Sequence, residues 1–325
     1  MKMIGMNNYT KKRKKRTYKY EDLLYLWLQS IRFNLKESSY SRYIQLIQSH
    51  IIPGLGNHYL EELTTQKLEQ EIERLLRNGK IHSKDGLSAK MVTDILSIIK
   101  ASVIWCKEEG YHISCEITKI KVKRELREMR VLGIKEQQKL QGTLTSNMNR
   151  YKLGVLVALY TGVRIGELCG LRWEDIDLNE QVLHVRRAVQ RIKNLSGEGR
   201  KTRILISSPK RNSVRDIPLP GCLLSYLKKY EADSDNYLLT GTRKYVEPRL
   251  LQYHFKRFVA ESEIDDANFH SLRHTFATRC VEAEFDVKSL SEILGHSDVN
   301  MTLNRYVHSS YRLKKENMNK LSILL

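Results

Sequence analysis

The chain has 325 residues, room for two domains, and its hydrophobic fraction of 41% is ordinary for a globular protein. Its net charge of +19 and pI near 9.6 are not ordinary, and they call for an anionic partner: nucleic acid first, an anionic membrane surface second. The apolar run Leu153–Tyr160 is too short to span a bilayer, and the basic N-terminus has no apolar stretch behind it, so the expectation is a soluble cytoplasmic protein with no membrane partner.

Residues 1–18 form a basic arm around Lys11, Lys12, Arg13, Lys14, Lys15 and Arg16. Like charges this dense repel one another and stay extended in free solution. The arm is either a solvated tail or a strip that orders along DNA phosphates.

From Tyr20 to about Gly110 the period is helical. Leu23, Leu24, Trp27, Leu28 and Ile31 mark one helix. Tyr43, Leu46, Ile47 and Ile51 mark a second, with a stop expected at Pro53 and Gly54. Leu63, Leu68, Ile72 and Leu75 mark a third, ending near Gly79. Val92, Ile95, Ile98, Ile99, Val103 and Ile104 mark a fourth. These stripes predict a helical bundle domain over 19–118, with the aromatic residues as core rather than as platforms for stacking bases.

Residues 119–133 mix Lys119, Lys121, Lys123, Arg124, Arg127 and Arg130 with Glu125 and Glu128. This reads as a basic interdomain linker able to cross DNA, or equally as a solvated helix face. A second domain covers 134–325. Two helices are expected before Asp175. Then period two sets in over Val182–Val189, Ile204–Ser207 and Val214–Pro218, with turn residues Asn194–Gly199 between the first two. Helices resume at Leu223, Leu250, Ser271, Val287 and Met301. The fold class is mainly α with a small antiparallel β-sheet.

The cysteines, Cys106, Cys115, Cys169, Cys222 and Cys280, are scattered and odd in number, with no Cys-x-x-Cys pair. This argues against a disulfide framework and a cysteine-rich zinc site. His270 and His274 stand four apart, but the glutamate of the zinc-hydrolase helix is replaced by Ser271. Glu174, Asp175 and Asp177 could suggest a metal nuclease; turn-forming or capping carboxylates are the commoner explanation.

Arg164 and Glu167 are three apart, on one face of a helix beginning just after Thr161-Gly162. Alone they would be a surface ion pair of small worth. Further on come His270-Ser-Leu-Arg273-His-Thr, Gly295-His296 and Tyr306. Two guanidiniums, two imidazoles and a phenol are the groups needed to break a phosphodiester without a metal. A guanidinium fork matches two phosphate oxygens, and a tyrosine oxygen can hold phosphorus covalently.

In order along the chain, Thr161-Gly-Val-Arg164-Ile-Gly-Glu167-Leu-Cys-Gly-Leu-Arg-Trp-Glu-Asp-Ile-Asp177, His270-Ser-Leu-Arg273-His-Thr-Phe-Ala-Thr278 and Leu294-Gly-His296-Ser-Asp-Val-Asn-Met-Thr-Leu-Asn-Arg-Tyr306 resemble the tyrosine recombinases, or phage integrases. Pro209-Lys210-Arg-Asn-Ser-Val-Arg-Asp-Ile-Pro218 is similar to that family's hairpin with its lysine. The resemblance implies a core-binding SAM-like domain followed by an α+β catalytic domain. It implies that Arg164 and Arg273 clamp the scissile phosphate, that His296 adds a hydrogen bond, and that Tyr306 forms a 3′-phosphotyrosine. It implies His270 as general base, Lys210 as the acid for the leaving 5′-oxygen, and Glu167 as a buttress. Lys201 or Arg211 could stand in for Lys210, and Tyr311 rivals Tyr306, though the spacing from His296 favours Tyr306.

The same resemblance implies four protomers on two DNA sites, a Holliday-junction intermediate, and residues after Tyr306, including 311–325, packing on a neighbouring protomer; the sequence alone fits a self-packed helix equally well. Accessory directionality or bending factors are possible partners. No cofactor is expected: one phosphodiester replaces another, and the chain has no Gly-x-x-x-x-Gly-Lys-Ser/Thr loop. The alternatives are a DNA-binding protein without recombination activity and an enzyme like the type IB topoisomerases. A pure binder has no chemical need for the complete set.

Overall fold

The computed structural model describes residues 18–123, 129–195, 200–209, 214–306 and 318–319. The arm residues Lys11–Arg16, and also Arg124, Lys210, Arg211, Tyr311 and Ile323–Leu325, lie outside the described residues. The chain divides into two units, Met1–Leu126 with Lys193–Lys201, and Arg127–Ile192 with Thr202–Leu325.

The first unit is built on α1 (Tyr20–Ser30), α2 (Glu37–Leu46), α3 (Thr65–Asn78) and α4 (Ala89–Glu108). Its core holds Leu23, Leu24, Trp27, Leu68, Ile72, Ile95 and Ile99 from the stripes read in the sequence. Tyr20 and Trp27 are buried, and the Tyr20 hydroxyl is satisfied by Ser102 at 2.6 Å. Thr64 and Ser88 cap α3 and α4, each accepting from the backbone N–H three residues on. The second helix does not stop at Pro53. It widens into π-helical turns over Ile47–Gly56 with Pro53 inside. A wider turn gives the proline ring room that an α-turn, with its carbonyl four residues back, denies it. Of the stretch expected as linker, Ile120 is part of this core and Leu132 is part of the other.

The second unit begins with three helices rather than two: α5 (Ile134–Thr145), α6 (Arg150–Thr161) and α7 (Ile165–Gly170). Helix α6 is buried along nearly its whole length. Gly162 ends it in the left-handed conformation at φ 64°, which a glycine adopts without a Cβ penalty. A new helix begins just past Thr161-Gly162, as expected, but Arg164 is the extended N-cap of α7 rather than a residue on its face.

The strands are β1 (Ile176–Asp177), β2 (Val182–Val185), β3 (Ala188–Lys193), β4 (Thr202–Ser207) and β5 (Arg215–Pro218). The run Val182–Val189, expected as one strand, is two. Strand β2 lies between β1 and β5, antiparallel to both, with Leu183 opposite Ile217 and both buried. Strand β3 pairs with β4 in a separate sheet. The break falls at Arg187, whose guanidinium reaches back to Glu174 at 2.6 Å and Asp175 at 3.2 Å. Asp177 forms a turn, accepting from the N–H groups of Asn179 and Glu180 at 2.9 Å each. Helices α8 (Gly221–Lys229), α9 (Pro248–Glu261), α10 (Phe269–Glu282), α11 (Val287–Leu294) and α12 (Asn300–Tyr306) complete the unit.

Candidate active site

Helix α10 is set by Asn268, whose side chain accepts from the N–H groups of His270 and Ser271. That cap fixes His270 in the first turn, with Arg273 and His274 one turn further along. Arg273 is 2% exposed. Its guanidinium donates to Gly162 O at 2.9 Å and to Leu294 O at 2.6 Å. Burial, then the neighbouring Arg164 cation, pushes its pKa down to about 9. The group therefore stays charged at neutral pH although it is buried.

Arg164 donates to Glu167 Oε1 at 2.7 Å and to Gly295 O at 3.3 Å. Glu167 also accepts from the Arg164 backbone N–H at 2.9 Å, closing the first turn of α7. A third cation, Arg215 at the start of β5, binds the same carboxylate at 2.8 and 3.2 Å and gives its Nε to Ile293 O at 2.6 Å. Burial opposes a charge on Glu167, but the hydrogen bond and charge of Arg215, with the charge of Arg164, outweigh it and hold the pKa at about 2. Glu167 is a buried bridge between two guanidiniums, not half of a surface pair.

Three arginines from three parts of the chain thus converge on consecutive carbonyls, Ile293, Leu294 and Gly295, at the end of α11. The last carbonyls of a helix have no intrahelical partner and carry its negative pole, so cations are favoured there. Gly295 closes the helix at φ 62°. His296 follows at once, and its Nδ1 pairs with Thr302 Oγ1 at 2.8 Å, where Thr302 is fully buried.

Tyr306 ends α12 and is buried against Ala277, Cys280, Leu290 and Leu294. Its hydroxyl lies 2.7 Å from Nδ1 of His274. The His296 ring is parallel to the phenol ring, centroids 6.4 Å apart. The His270 ring meets His274 edge-on at 4.5 Å.

The structure therefore brings Arg164, Glu167, His270, Arg273, His296 and Tyr306 together in the second unit. Lys121 and Lys123 are exposed in the first unit, and Lys201 is exposed at the base of the β3–β4 pair. Lys210 is not among the described residues. Sequence reasoning missed Arg215, His274 and Thr302. Arg215 stood inside the quoted hairpin motif, three residues before Pro218, but nothing in the sequence shows that its side chain turns inward. His274 was weighed only as half of a zinc pair. Among the described residues no group of three or more histidines, cysteines or carboxylates could hold a metal ion.

With this geometry in view, comparison with known proteins is decisive. Residues 130–312, more than half of the chain, match the phage integrase family, and residues 19–76 match the family's N-terminal SAM-like domain. The chain belongs to the phage integrase family. It is an enzyme of the tyrosine recombinase class. A tyrosine recombinase XerC-like protein of Caldanaerobacter subterraneus is 25% identical over 317 residues, 88% of this chain and 78% of that protein. The ICEBs1 integrase of Bacillus subtilis is 24% identical over 96% of this chain and 85% of its own length. The integrase of transposon Tn1549, solved in complex with transposon right end DNA, superposes with a TM-score of 0.75 at 21% identity, covering 92% of this chain and 99% of that one. That likeness establishes a shared fold. No helix among the described residues is long and apolar enough to cross a membrane.

Proposed function

We propose that this phage integrase family member cleaves and rejoins DNA at specific sites through a 3′-phosphotyrosine, and so integrates and excises a mobile element. Arg164 and Arg273 clamp the non-bridging oxygens of the scissile phosphate, where charge builds in the transition state. His296 donates a further hydrogen bond. Tyr306 Oη attacks phosphorus as the bond to the 5′-oxygen breaks, and Lys210 supplies that oxygen with a proton. The phenolic proton passes to a histidine of the pair on α10, His270 by the sequence pattern. Glu167 orients Arg164. Rejoining reverses each step with another strand's 5′-hydroxyl, so bond energy is conserved.

One observation carries the reading: the two guanidiniums and the segment bearing Tyr306 are tied to a single helix end, Leu294 and Gly295. Fixed cations beside a buried phenol suit phosphoryl transfer and are superfluous for binding alone. Each chain offers one Tyr306, and exchange between two duplexes involves four strands, so four protomers act on paired sites.

The helical domain 19–118, the linker 119–133 and the basic residues Lys11–Arg16, Lys121, Lys123 and Arg124 hold the duplex by its phosphates while the catalytic domain 134–325 works. The setting is DNA in the cytoplasm, with accessory directionality or bending factors choosing between insertion and release.

The test is to incubate the protein with duplexes from the ends of its own genetic element and map the covalently attached nucleotide. Attachment of a 3′-phosphate at one defined position is expected. Relaxation of supercoiled plasmid lacking any such site, with no joint products, would instead indicate a topoisomerase.

A further inference from the structure

We infer that His274, rather than His270, receives the proton of Tyr306. The inference replaces His270 as the proton acceptor of the proposed function and rests on that function's assignment of Tyr306 as nucleophile. The hydroxyl of Tyr306 and Nδ1 of His274 are 2.7 Å apart and both residues are buried. That is hydrogen-bond length for a phenol and an imidazole, and reach is the first requirement of a general base. With the phenol donating, Nδ1 accepts and the ring proton sits on Nε2.

Three features hold the pair in place. Helix α10 is pinned by Arg273, whose two hydrogen bonds to Gly162 and Leu294 immobilise the residue just before His274. The Tyr306 ring is wedged among Ala277, Cys280, Leu290 and Leu294. The His270 ring abuts the His274 ring edge-on, which limits its rotation. The ionisable groups facing this pair include His270 and Cys280 on α10, His296 ahead of α12 and the Arg273 guanidinium, whose charge acts on Tyr306.

As Oη bonds to phosphorus, the O–H electron pair becomes the new bond's source and the proton moves to Nδ1, leaving an imidazolium. The bond to the 5′-oxygen breaks, and that oxygen takes a proton from the donor acid, Lys210 in the proposed function. In the joining step the incoming 5′-hydroxyl returns a proton to the acid side, and the departing phenolate recovers its own from His274. The site thus ends each cycle as it began.

The test uses the full-length protein and a nicked suicide duplex from its element ends, which traps the covalent product. His274→Asn places an oxygen near the Nδ1 position, so it keeps hydrogen-bond acceptance but cannot become a proton carrier. Single-turnover cleavage by His274→Asn should fall about 100-fold or more, with DNA binding unchanged. Its rate should climb with pH across the range where the wild type levels off. A 5′-thio leaving group, which removes the need for the acid, should not restore it.

His270→Asn should keep the wild-type pH dependence even where it is slower. The inference is overturned if His274→Asn cleaves within a few-fold of wild type, or if the levelling-off with pH is lost in His270→Asn and kept in His274→Asn. Circular dichroism melting of both variants separates a chemical loss from misfolding, and His274→Gln serves if the asparagine variant does not fold. Should Tyr306→Phe still form the covalent product, the nucleophile assignment fails, which is a different outcome from either result at His274.

Discussion

Arg164 and Arg273 donate to neighbouring carbonyls of one helix end, Gly295 and Leu294, although they come from segments more than a hundred residues apart. The spacing between the two guanidiniums is thereby set by the step between adjacent backbone carbonyls. Arg215 extends the row to Ile293. A lysine at any of the three positions has one nitrogen and cannot serve a carbonyl and a second acceptor in the same fixed plane.

Tyr306→Phe removes the phenolic oxygen proposed to attack and leaves the apolar ring in its cluster. Covalent complex formation on a suicide duplex should vanish, while binding measured by gel shift stays within about two-fold of wild type. A trapped complex in this variant would reassign the nucleophile, with Tyr311 next to be tested.

Glu167→Gln leaves Arg215 and Arg164 facing each other without their bridging anion. Breaking a buried pair of this kind costs on the order of 3–5 kcal/mol, and urea unfolding at pH 7 should report it. The sign with pH follows from a carboxyl held at about 2 in the folded state, below its ordinary value near 4.5. Its stabilisation is complete above about pH 4.5 and is lost as pH falls toward 2. The gap between wild type and Glu167→Gln should therefore narrow over that window. A gap independent of pH would mean that the charge on Glu167 contributes nothing.

Gly295→Ala places a Cβ in left-handed backbone and 3.0–3.1 Å from the Arg215 side chain. The backbone penalty alone is roughly 1 kcal/mol. The melting temperature should drop by a few degrees, and cleavage should fall more steeply than stability accounts for, because the turn positions Arg164, Arg215 and His296 together. Wild-type cleavage in this variant would show that the turn is only a helix stop.

Deleting residues 1–18 removes the six consecutive cations Lys11–Arg16. If each neutralises a phosphate, the slope of log affinity against log salt should become shallower by up to about 5. An unchanged slope would show that the arm never touches the backbone of DNA.

The helices were legible because they are written in short-range pattern, and so were most of the residues that the structure gathers around Gly295, from their motifs along the chain. The stripes at Leu23–Leu28 and Val92–Val103 have one period and one burial pattern, and His270 with Arg273 sits within a single turn. What was not legible depends on where a side chain is sent. Val182–Val189 alternates like one strand, yet Arg187 is drawn to Glu174 and Asp175, and the strand divides there. Pro53 reads as a stop, yet wider turns carry the helix past it to Gly56. Arg215 reads only as part of a period-two run, and the fold shows it turned onto a buried carboxylate. His274 follows Arg273 directly, and no local rule marks its ring as the one beside Tyr306.

The turn at residues 293–295 also bears on how such an enzyme could be redirected to other targets by exchanging segments. Swapping the helical domain at the front leaves that joint whole. Grafting a foreign tail between α10 and the end of α11 would replace the segment that anchors three arginines at once, so a chimera joined there should hold DNA and never cut it.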